Sequence, residues 1–346
     1  MRPANDKLFD WILSLGPTAK YNLTSSGLSE PDLSEMGVDT SYERFAAEKD
    51  EHTRVFTEEV ASLYSVEPES IVVTSGGSEA IFLVYSVLGN GAVAVVPLPN
   101  YGPMFTVPRA LGLEVRNTLS ERGAARATIF GLTDPNNPTG RSLDAEAVET
   151  LIESPEGRSS RIVFINEAYE EFTFPGSPRT HYGHTDVVTC STMTKFYGLG
   201  RFRVGWIMAD RGAARTLSYA KWAVSGHNSE YGVWIATQVL RKRQRFVERA
   251  RRIRSRNIEL VRRFAESTQG VSTELGTAPF CLVRYQRGPG SLALARSLLE
   301  KTGVLISPGD FFGAPRAFRL CFTSDSEETL RNGLDELSNF LNELPK

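Results

Sequence analysis

The apolar run DVVTCS (Asp186–Ser191) leads into the sequence CSTMTKFYGLGRFRVGW (Cys190–Trp206), and these overlapping segments decide how the chain is interpreted. The apolar run predicts a buried strand, and Lys195 lies just beyond its end. A lysine amine at such a position can condense with an aldehyde to form a Schiff base. The alternative is an ordinary surface lysine at the end of a strand.

Groups suited to binding a phosphate surround this lysine. Thr192 and Thr194 supply hydroxyls before it, and Arg203 supplies a guanidinium eight residues after it. Hydroxyls and a guanidinium hold a phosphate dianion by charge-assisted hydrogen bonds. One cofactor needs both an amine that traps its aldehyde and a cradle for its phosphate, and that cofactor is pyridoxal 5′-phosphate (PLP). The segment therefore predicts a PLP site, provided that the rest of the chain completes it.

Length and charge limit the classes of protein to consider. The chain has 346 residues, 41% of them hydrophobic and 23% charged, with a formal net charge of -2. This length allows a large core and favours two domains over one. The near-neutral charge gives no reason to expect nucleic acid or a membrane as partner.

The cysteines and the N-terminus favour a cytoplasmic protein. Cys190, Cys281 and Cys321 all lie in apolar, strand-like runs without metal-ligand spacing, as expected for buried thiols in a reducing compartment. The apolar patch near the N-terminus is interrupted by Asp10. We therefore expect neither a metal site, nor a signal peptide, nor a membrane-spanning helix.

Between about residues 54 and 209, short apolar runs alternate with helical patterns such as Ser78–Leu88 and Asp144–Ile152. The runs are Ser70–Thr74, Ala92–Val96, Ala127–Leu132, Arg161–Ile165, Asp186–Ser191 and Val204–Ala209. They are apolar throughout, as in strands that are buried on both faces of a mainly parallel sheet. The pattern predicts a doubly wound α/β domain.

The last third of the chain predicts a smaller α+β domain. A basic helical segment runs from Arg241 to Glu266, with nine Lys and Arg residues between 241 and 256. We favour a solvated helix over a nucleic-acid surface, because aromatic residues are not interleaved. The elements expected after it are Ala278–Tyr285, a helix near Ser291–Thr302, Gly303–Ile306, Ala317–Phe322 and a final helix. We expect a large domain over 40–245, and a small domain formed by 246–346 with an N-terminal arm over 1–39.

Three turns after the predicted strands carry groups that could bind a ligand. In TSGGSEA (74–80), the backbone amides of Gly77 and Ser78 begin a helix and can bind an anion; an ordinary glycine turn with Ser78 as the helix N-cap is the alternative. In LPNYGP (98–103), Tyr101 can stack on a flat heterocycle, or it is a packing residue. In DPNNPTG (134–140), two prolines hold the backbone so that Asn137 presents its amide at a fixed geometry.

Two further segments add polar groups. The sequence NEAY places Asn166 and Tyr169 after another strand, and AFRLCF places Arg319 within a strand of the second domain. A buried cation needs a partner, and a substrate carboxylate is a suitable bidentate one. An internal salt bridge is the alternative for Arg319.

The chain resembles the class I/II aminotransferases, which have fold type I of the PLP enzymes. The resemblance lies in the order and spacing of six motifs: GGSEA, PNYGP, DPNNPTG, NEAY, STMTK with Arg203, and FRL with Arg319. The resemblance covers essentially the whole chain, and SPGDFFG (307–313) is most similar to the histidinol-phosphate aminotransferase branch. It implies a mainly parallel, seven-stranded type of sheet between helices and a homodimer with active sites at its interface. It also implies transfer of an amino group from an L-α-amino acid to a 2-oxo acid.

The same resemblance implies a role for each motif residue. Lys195 would form the Schiff base and then move the proton between the substrate Cα and the cofactor C4′. Tyr101 would stack on the ring, and Arg319 would bind the α-carboxylate beside Asn137. The phosphate would be held by Gly77, Ser78, Thr192, Thr194 and Arg203. Hydrogen bonds to the phenolic oxygen of the ring would come from Asn137 and Tyr169.

Two assignments depend on less typical surroundings. The family lends a tyrosine to the phosphate of the neighbouring subunit, and Tyr42 in TSYERF is the candidate. Gly27, in LTSSGL, is expected near the substrate carboxylate.

The chain departs from the family pattern at Asn166, where an aspartate normally pairs with the pyridine nitrogen of the cofactor. A neutral amide can donate a hydrogen bond to that nitrogen but supplies no charge. Glu167 is adjacent, but neighbours in an extended segment point to opposite sides. Three interpretations follow: a transaminase that tolerates a neutral partner, a non-transaminating enzyme such as a capreomycidine-forming cyclase or an amino-acid oxidase, or a ligand-binding sensor.

Overall fold

The computed structural model describes residues 6–49, 51–89, 93–118, 127–153, 161–173, 178–184 and 186–345. Its central feature is a seven-stranded sheet with the strand order β2-β8-β7-β6-β5-β3-β4. The strands are β2 (Ile71–Thr74), β3 (Val93–Val95), β4 (Glu114–Arg116), β5 (Ala127–Thr133), β6 (Ile162–Asn166), β7 (Val187–Thr192) and β8 (Gly205–Met208). Only β8 is antiparallel to its neighbours, so the prediction of a mainly parallel sheet is confirmed.

The strand at one edge, β4, is missing from the predicted elements. Its sequence, Glu-Val-Arg, is short and partly exposed, so it lacks the apolar run that indicates a buried strand. The run predicted over Ala92–Val96 is a strand over Val93–Val95, and Ala92 lies outside the described residues.

The sheet is buried on both faces because alternate residues of a strand point to opposite sides. In β8, Trp206 and Met208 pack into one hydrophobic cluster with Phe56, whereas Ile207 packs into another with Leu83. The helices are α1 (Lys7–Leu15), α2 (Tyr42–Ala47), α3 (His52–Tyr64), α4 (Gly77–Leu88), α5 (Gly102–Leu111), α6 (Ala145–Glu153), α7 (Arg211–Ser225), α8 (Glu230–Arg241), α9 (Arg243–Ser267), α10 (Ser291–Thr302) and α11 (Glu327–Asn342). Among the helices described, none is long and apolar enough to cross a membrane.

The basic segment differs from its prediction in two respects. The helix does not start at Arg241, because Lys242 leaves the helical conformation and separates α8 from α9. Nor are all of its arginines simply solvated: Arg249 pairs with Asp325, and Arg254 donates to the backbone carbonyls of Gly276 and Thr277. These contacts join α9 to the C-terminal segments.

The C-terminal segments form a second, antiparallel sheet with the order β12-β13-β10-β9. A separate two-stranded parallel pair links β1, near the N-terminus, to β11. The strands are β1 (Tyr21–Asn22), β9 (Val271–Thr273), β10 (Phe280–Tyr285), β11 (Val304–Leu305), β12 (Ser307–Pro308) and β13 (Ala317–Cys321). Trp11 and Leu23 pack with these strands and with α9, α10 and α11 in one hydrophobic cluster. The domain boundaries at 40 and 245 stay predictions, and residues 1–5 of the expected arm lie outside the described part of the chain.

Candidate active site

The predicted site residues that follow β5, β6 and β7 lie at one edge of the central sheet. These strands are parallel, and their register pairs Thr133 with Asn166 and Asn166 with Cys190. The loop with Asn137 and the turn with Lys195 therefore leave the same edge of the sheet, on either side of the end of β6. The carboxyl edge of a doubly wound sheet is where ligands bind in such folds.

A candidate anion site lies where α4 begins. The helix starts at Gly77, and no side chain caps its first turn, so the backbone N–H groups of that turn are open to a ligand. Arg203 Nη2 donates to the carbonyl of Ser75 at 3.0 Å. A Cβ atom on Gly76 would lie 2.7 Å from the same nitrogen, so glycine allows the close approach of the guanidinium.

Two hydroxyls complete this anion site. Thr192 ends β7 and Thr194 lies on the turn after it, with 3.0 Å between their Oγ1 atoms, and the Thr194 backbone N–H donates to Thr192 Oγ1. Arg203 has a left-handed backbone conformation with φ of 52°, which is unusual for a residue with a side chain. Ser78 is exposed at the helix start and does not act as the cap that the alternative interpretation required.

A buried ion pair that the sequence analysis missed supports the turn before α4. Glu79 Oε2 accepts a hydrogen bond from the Ser75 backbone N–H at 2.6 Å and lies 3.7 Å from Lys221 Nζ. Lys221 also donates to the carbonyl of Gly226 at 2.7 Å. The pair fixes the turn beside the anion site and neutralises a carboxylate there.

Lys195 is partly buried, and its amine lies against a loop from the N-terminal segment. Lys195 Nζ donates to Ser26 Oγ at 3.2 Å, and the Tyr169 phenol donates to the same oxygen at 2.9 Å. Gly27 packs on the lysine itself, because a Cβ there would lie 3.1 Å from Lys195 Cα. The sequence analysis singled out Gly27 but missed Ser26, its neighbour in LTSSGL.

Arg319 is buried in the second sheet and reaches the loop after β5. Its Nη1 donates to Asn137 Oδ1 at 2.9 Å, and Asn137 Nδ2 donates to the Tyr169 phenol oxygen at 3.4 Å. Its Nη2 donates to the carbonyl of Thr24 at 2.9 Å and to Ser307 Oγ at 3.3 Å. A continuous set of hydrogen bonds thus runs from Arg319 to Lys195.

The hydrogen-bond partners of Arg319 are neutral. Within the described residues, Arg319 therefore does not form the internal salt bridge that was the alternative. The guanidinium lies between the rings of Phe312 and Phe280, at 4.9 and 5.6 Å from their centroids. Its Nε is buried and has no hydrogen-bond partner in the described part of the chain. A buried cation with an unused donor is suited to a carboxylate ligand.

Asn166 ends β6 and is buried. Its Oδ1 accepts a hydrogen bond from the Ala168 backbone N–H at 3.2 Å, which leaves Nδ2 as the donor for a ligand. Glu167 faces elsewhere: its carboxylate accepts from the His181 backbone N–H at 2.7 Å and from Thr180 Oγ1 at 2.8 Å. Burial raises the pKa of Glu167 from its ordinary value of 4.5 to about 8.

The two remaining tyrosines differ in their placement. Tyr101 is partly buried where α5 begins, and its backbone N–H donates to Asn100 Oδ1, which also accepts from Thr133 at the end of β5. Tyr42 is 65% exposed, and its ring lies 5.5 Å from that of Phe45 in its own helix, tilted by 50°. It has no contact with the Lys195 site of its own chain within the described residues.

The sequence model of the family described as aminotransferase class I and II matches residues 49–337. The histidinol-phosphate aminotransferase of Listeria welshimeri is 25% identical over 288 residues, which cover 78% of each chain. A PLP-dependent aminotransferase from Streptococcus suis superposes with a TM-score of 0.88 at 23% identity, over 99% of this chain and 98% of that one.

A solved PLP-dependent cyclase, OrfR, superposes with a TM-score of 0.83 at 23% identity, over 99% of this chain and 98% of that one. The shared fold is therefore found in proteins named for different reactions. With the matched family segment extending over most of the sequence, this chain belongs to the aminotransferase class I and II family and is a PLP-dependent transferase of fold type I.

Proposed function

We propose that the protein is an aminotransferase that passes the amino group of an L-α-amino acid to a 2-oxo acid, with Lys195 as the residue that joins the cofactor covalently. The observation that carries this proposal is the hydrogen-bonded set from Lys195 through Tyr169 and Asn137 to Arg319. It puts an amine, a phenol, an amide and a guanidinium at one sheet edge, beside an anion site. The proposal covers the class of reaction and does not assign the side chain of the substrate.

The residues present fit PLP. The uncapped N-terminus of α4, the two threonine hydroxyls and Arg203 together form a donor set for a phosphate dianion. The buried Nε of Arg319 is a donor without an acceptor, as expected for a group that binds a substrate carboxylate. This unpaired donor would be costly in a site without ligands, because buried polar groups need partners.

When bound, PLP supplies an aldehyde for amines and a ring that accepts electrons from the substrate Cα. The Lys195 amine would hold the cofactor and then, once released, move a proton at the substrate Cα. Gly77, Ser78, Thr192, Thr194 and Arg203 would hold the phosphate. Tyr101 would cover one ring face, and Asn137 and Tyr169 would donate to the phenolic oxygen. Arg319 would fix the α-carboxylate and so orient the Cα–H bond.

Asn166 supports a second candidate function. Its amide supplies no charge to the ring nitrogen, and Glu167 is held on other partners, so neither residue provides the carboxylate that the family pattern has there. Weaker electron withdrawal would slow transamination and would suit an enzyme that directs the substrate to cyclisation, oxidation, elimination or decarboxylation. The shared fold with a PLP-dependent cyclase is compatible with this alternative.

The proposal also includes a cytoplasmic homodimer. Tyr42 is exposed, and in its own chain its ring contacts Phe45 and Tyr231, which is compatible with a role in the site of a second subunit. Gly27 is proposed near the substrate carboxylate, because it packs directly against Lys195 and follows Ser26.

The test is the absorbance spectrum of the purified protein during titration with a panel of L-amino acids. Conversion of the bound cofactor to its amine form, reversed by 2-oxo acids, supports transamination. Oxygen uptake, ammonia release, carbon dioxide or a cyclised product without that conversion supports the second candidate. Amino-acid binding without any turnover would indicate a ligand-binding protein instead.

The lysine assignment is tested by Lys195→Ala, with Lys301→Ala, an exposed lysine of α10, as the matched control. We expect only Lys195→Ala to abolish the covalent linkage, measured as protein-bound cofactor after borohydride reduction. A covalent linkage that persists in Lys195→Ala would disprove the assignment.

A further inference from the structure

Ser26 lies between the amine and the phenol of the candidate site. Its Oγ is 3.2 Å from Lys195 Nζ and 2.9 Å from the Tyr169 phenol oxygen, and the residue is only 8% exposed. No motif in the sequence marks this serine. Its proximity to the reacting amine appears only when the N-terminal segment folds back over the sheet edge.

The loop that carries Ser26 is fixed to the lysine. The backbone N–H of Leu28 donates to the carbonyl of Lys195 at 2.9 Å. Thr323 Oγ1 donates to the carbonyl of Ser25 at 2.9 Å, and Gly27 packs on Lys195 Cα. The backbone of Ser26 is therefore held beside the backbone of Lys195 by contacts on both sides of the serine.

Ser26 is the one hydrogen-bond partner of the Lys195 amine that the described residues provide. The next polar feature near the amine is the face of the Tyr169 ring, whose centroid is 5.8 Å away. A lysine side chain has four rotatable bonds, and an unheld amine would sample many positions. When Lys195 is not joined to the cofactor, Ser26 determines where its amine lies.

A hydroxyl suits this position because it can both accept and donate. The Tyr169 phenol donates to Ser26 Oγ, and an ammonium form of Lys195 donates to the same oxygen. The Ser26 hydroxyl hydrogen has no acceptor among the described residues, so it can rotate to donate to the lone pair of a neutral amine. The serine can therefore hold the amine both before and after it takes up a proton.

We propose that Ser26 is a positioning residue that holds the Lys195 amine at the place from which it attacks the cofactor aldehyde and later moves the substrate proton. This inference rests on the proposed role of Lys195. It assigns to the LTSSGL loop a function in the chemistry itself, in addition to covering the site.

The test is the rate at which cofactor-free, full-length protein captures PLP, compared with its affinity for pyridoxine 5′-phosphate. This analogue has the phosphate and the ring but no aldehyde, so it occupies the site without joining Lys195. We expect Ser26→Ala to slow covalent capture by about tenfold or more, as for loss of one hydrogen bond to a charged or reacting group. Its affinity for the analogue should stay within about twofold of the wild-type value, as expected for an unchanged phosphate cradle.

The matched control is Ser25→Ala, in the same loop, because Ser25 Oγ donates to the carbonyl of Gly27 and not to the lysine. This variant should capture PLP at the wild-type rate. The inference is overturned if Ser26→Ala captures PLP as fast as wild type, or if it loses affinity for the analogue as much as it loses capture rate. Wild-type protein that never captures PLP would instead refute the proposed function.

Discussion

Asn166 and Glu167 are consecutive residues at the end of β6, yet their side chains are held by different parts of the molecule. Asn166 binds the backbone of Ala168 at the sheet edge, whereas Glu167 binds the segment with Thr180 and His181. His181 in turn contacts Asp134 Oδ2 at 2.7 Å through Nε2. The carboxylate next to Asn166 therefore belongs to a separate buried network and cannot replace the missing aspartate.

The first prediction concerns the charge at residue 166. Asn166→Asp keeps the acceptor for the Ala168 N–H and adds a carboxylate that can pair with a protonated ring nitrogen. If the protein is a transaminase, conversion of its cofactor to the amine form should become about tenfold faster, the effect of roughly 1.4 kcal/mol of added stabilisation at the transition state. Single-turnover absorbance measurements with an accepted amino acid provide this rate.

The opposite outcome of that experiment is equally informative. Loss of the native reaction in Asn166→Asp, with cofactor binding retained, would contradict the transaminase proposal and favour the second candidate. Asn136→Asp serves as a control, because Asn136 binds loop atoms, including the carbonyl of Pro99, outside the Lys195 set. It should not accelerate cofactor conversion.

The second prediction concerns stability and pH. Burial raises the pKa of Glu167 from 4.5 to about 8, so between these values the folded state holds a proton that the unfolded state has released. The free energy of unfolding must then fall as pH rises through this window, by up to about 1.4 kcal/mol per pH unit for one proton. Glu167→Gln should reduce this fall, as measured by urea denaturation across the window.

Other groups contribute to the same pH dependence, so only part of it should disappear. Burial also raises the pKa of Glu170, to about 7, and this group stays in the variant. Glu58→Gln on the exposed face of α3 is the control and should leave the slope unchanged. An unaltered slope in Glu167→Gln would mean that Glu167 is ionised in the folded protein.

The third prediction concerns the support of the anion site. Lys221→Met leaves the carboxylate of Glu79 without its cation, and both side chains are about nine-tenths buried, at 7% and 11% exposure. Breaking a buried pair on one side should cost roughly 3 kcal/mol of unfolding free energy. PLP affinity should also fall, because an unneutralised carboxylate then lies behind the Ser75 turn.

A double variant separates the charge from the packing. Glu79→Gln combined with Lys221→Met removes both charges, so it should recover most of the lost PLP affinity. Equilibrium titration with pyridoxine 5′-phosphate measures this affinity without the covalent step. If the double variant binds no better than Lys221→Met, the ion pair does not act through its charge.

The local pattern of apolar residues in the sequence was enough to predict most strands of the central sheet. Each of the six apolar runs in the sequence overlaps a strand of the structure. The helix Ser291–Thr302 begins and ends at the predicted residues. The break at Lys242 was not predictable, because no glycine or proline marks it and its neighbours all favour helix.

Some site residues could not be predicted from the sequence pattern, because they come from segments that are distant along the chain. Ser26 and Thr24 reach Lys195 and Arg319 only because β1 pairs with β11, far along the chain. Lys221 reaches Glu79 because α7 packs on α4. Nothing in a single sequence distinguishes these residues from ordinary loop serines and helix lysines, since their significance depends on tertiary contacts.

The last prediction concerns Tyr42 and the proposed dimer. Tyr42 is exposed in its own chain, where its ring contacts Phe45 and Tyr231, and we expect it to serve the phosphate of a second subunit. Tyr42→Phe should weaken PLP binding by about tenfold, as for loss of one hydrogen bond to a charged group. Lys195→Ala alone should form no covalent linkage.

Mixing these two variants tests whether the tyrosine acts between subunits. In a mixed dimer, one site combines Lys195 of the Tyr42→Phe chain with Tyr42 of the Lys195→Ala chain, and this site should trap limiting PLP with native affinity. Borohydride reduction followed by quantification of protein-bound cofactor measures the trapped fraction. If refolded mixtures trap no more PLP than the Tyr42→Phe protein alone, Tyr42 does not serve the neighbouring site, because only a shared site could combine the two intact residues.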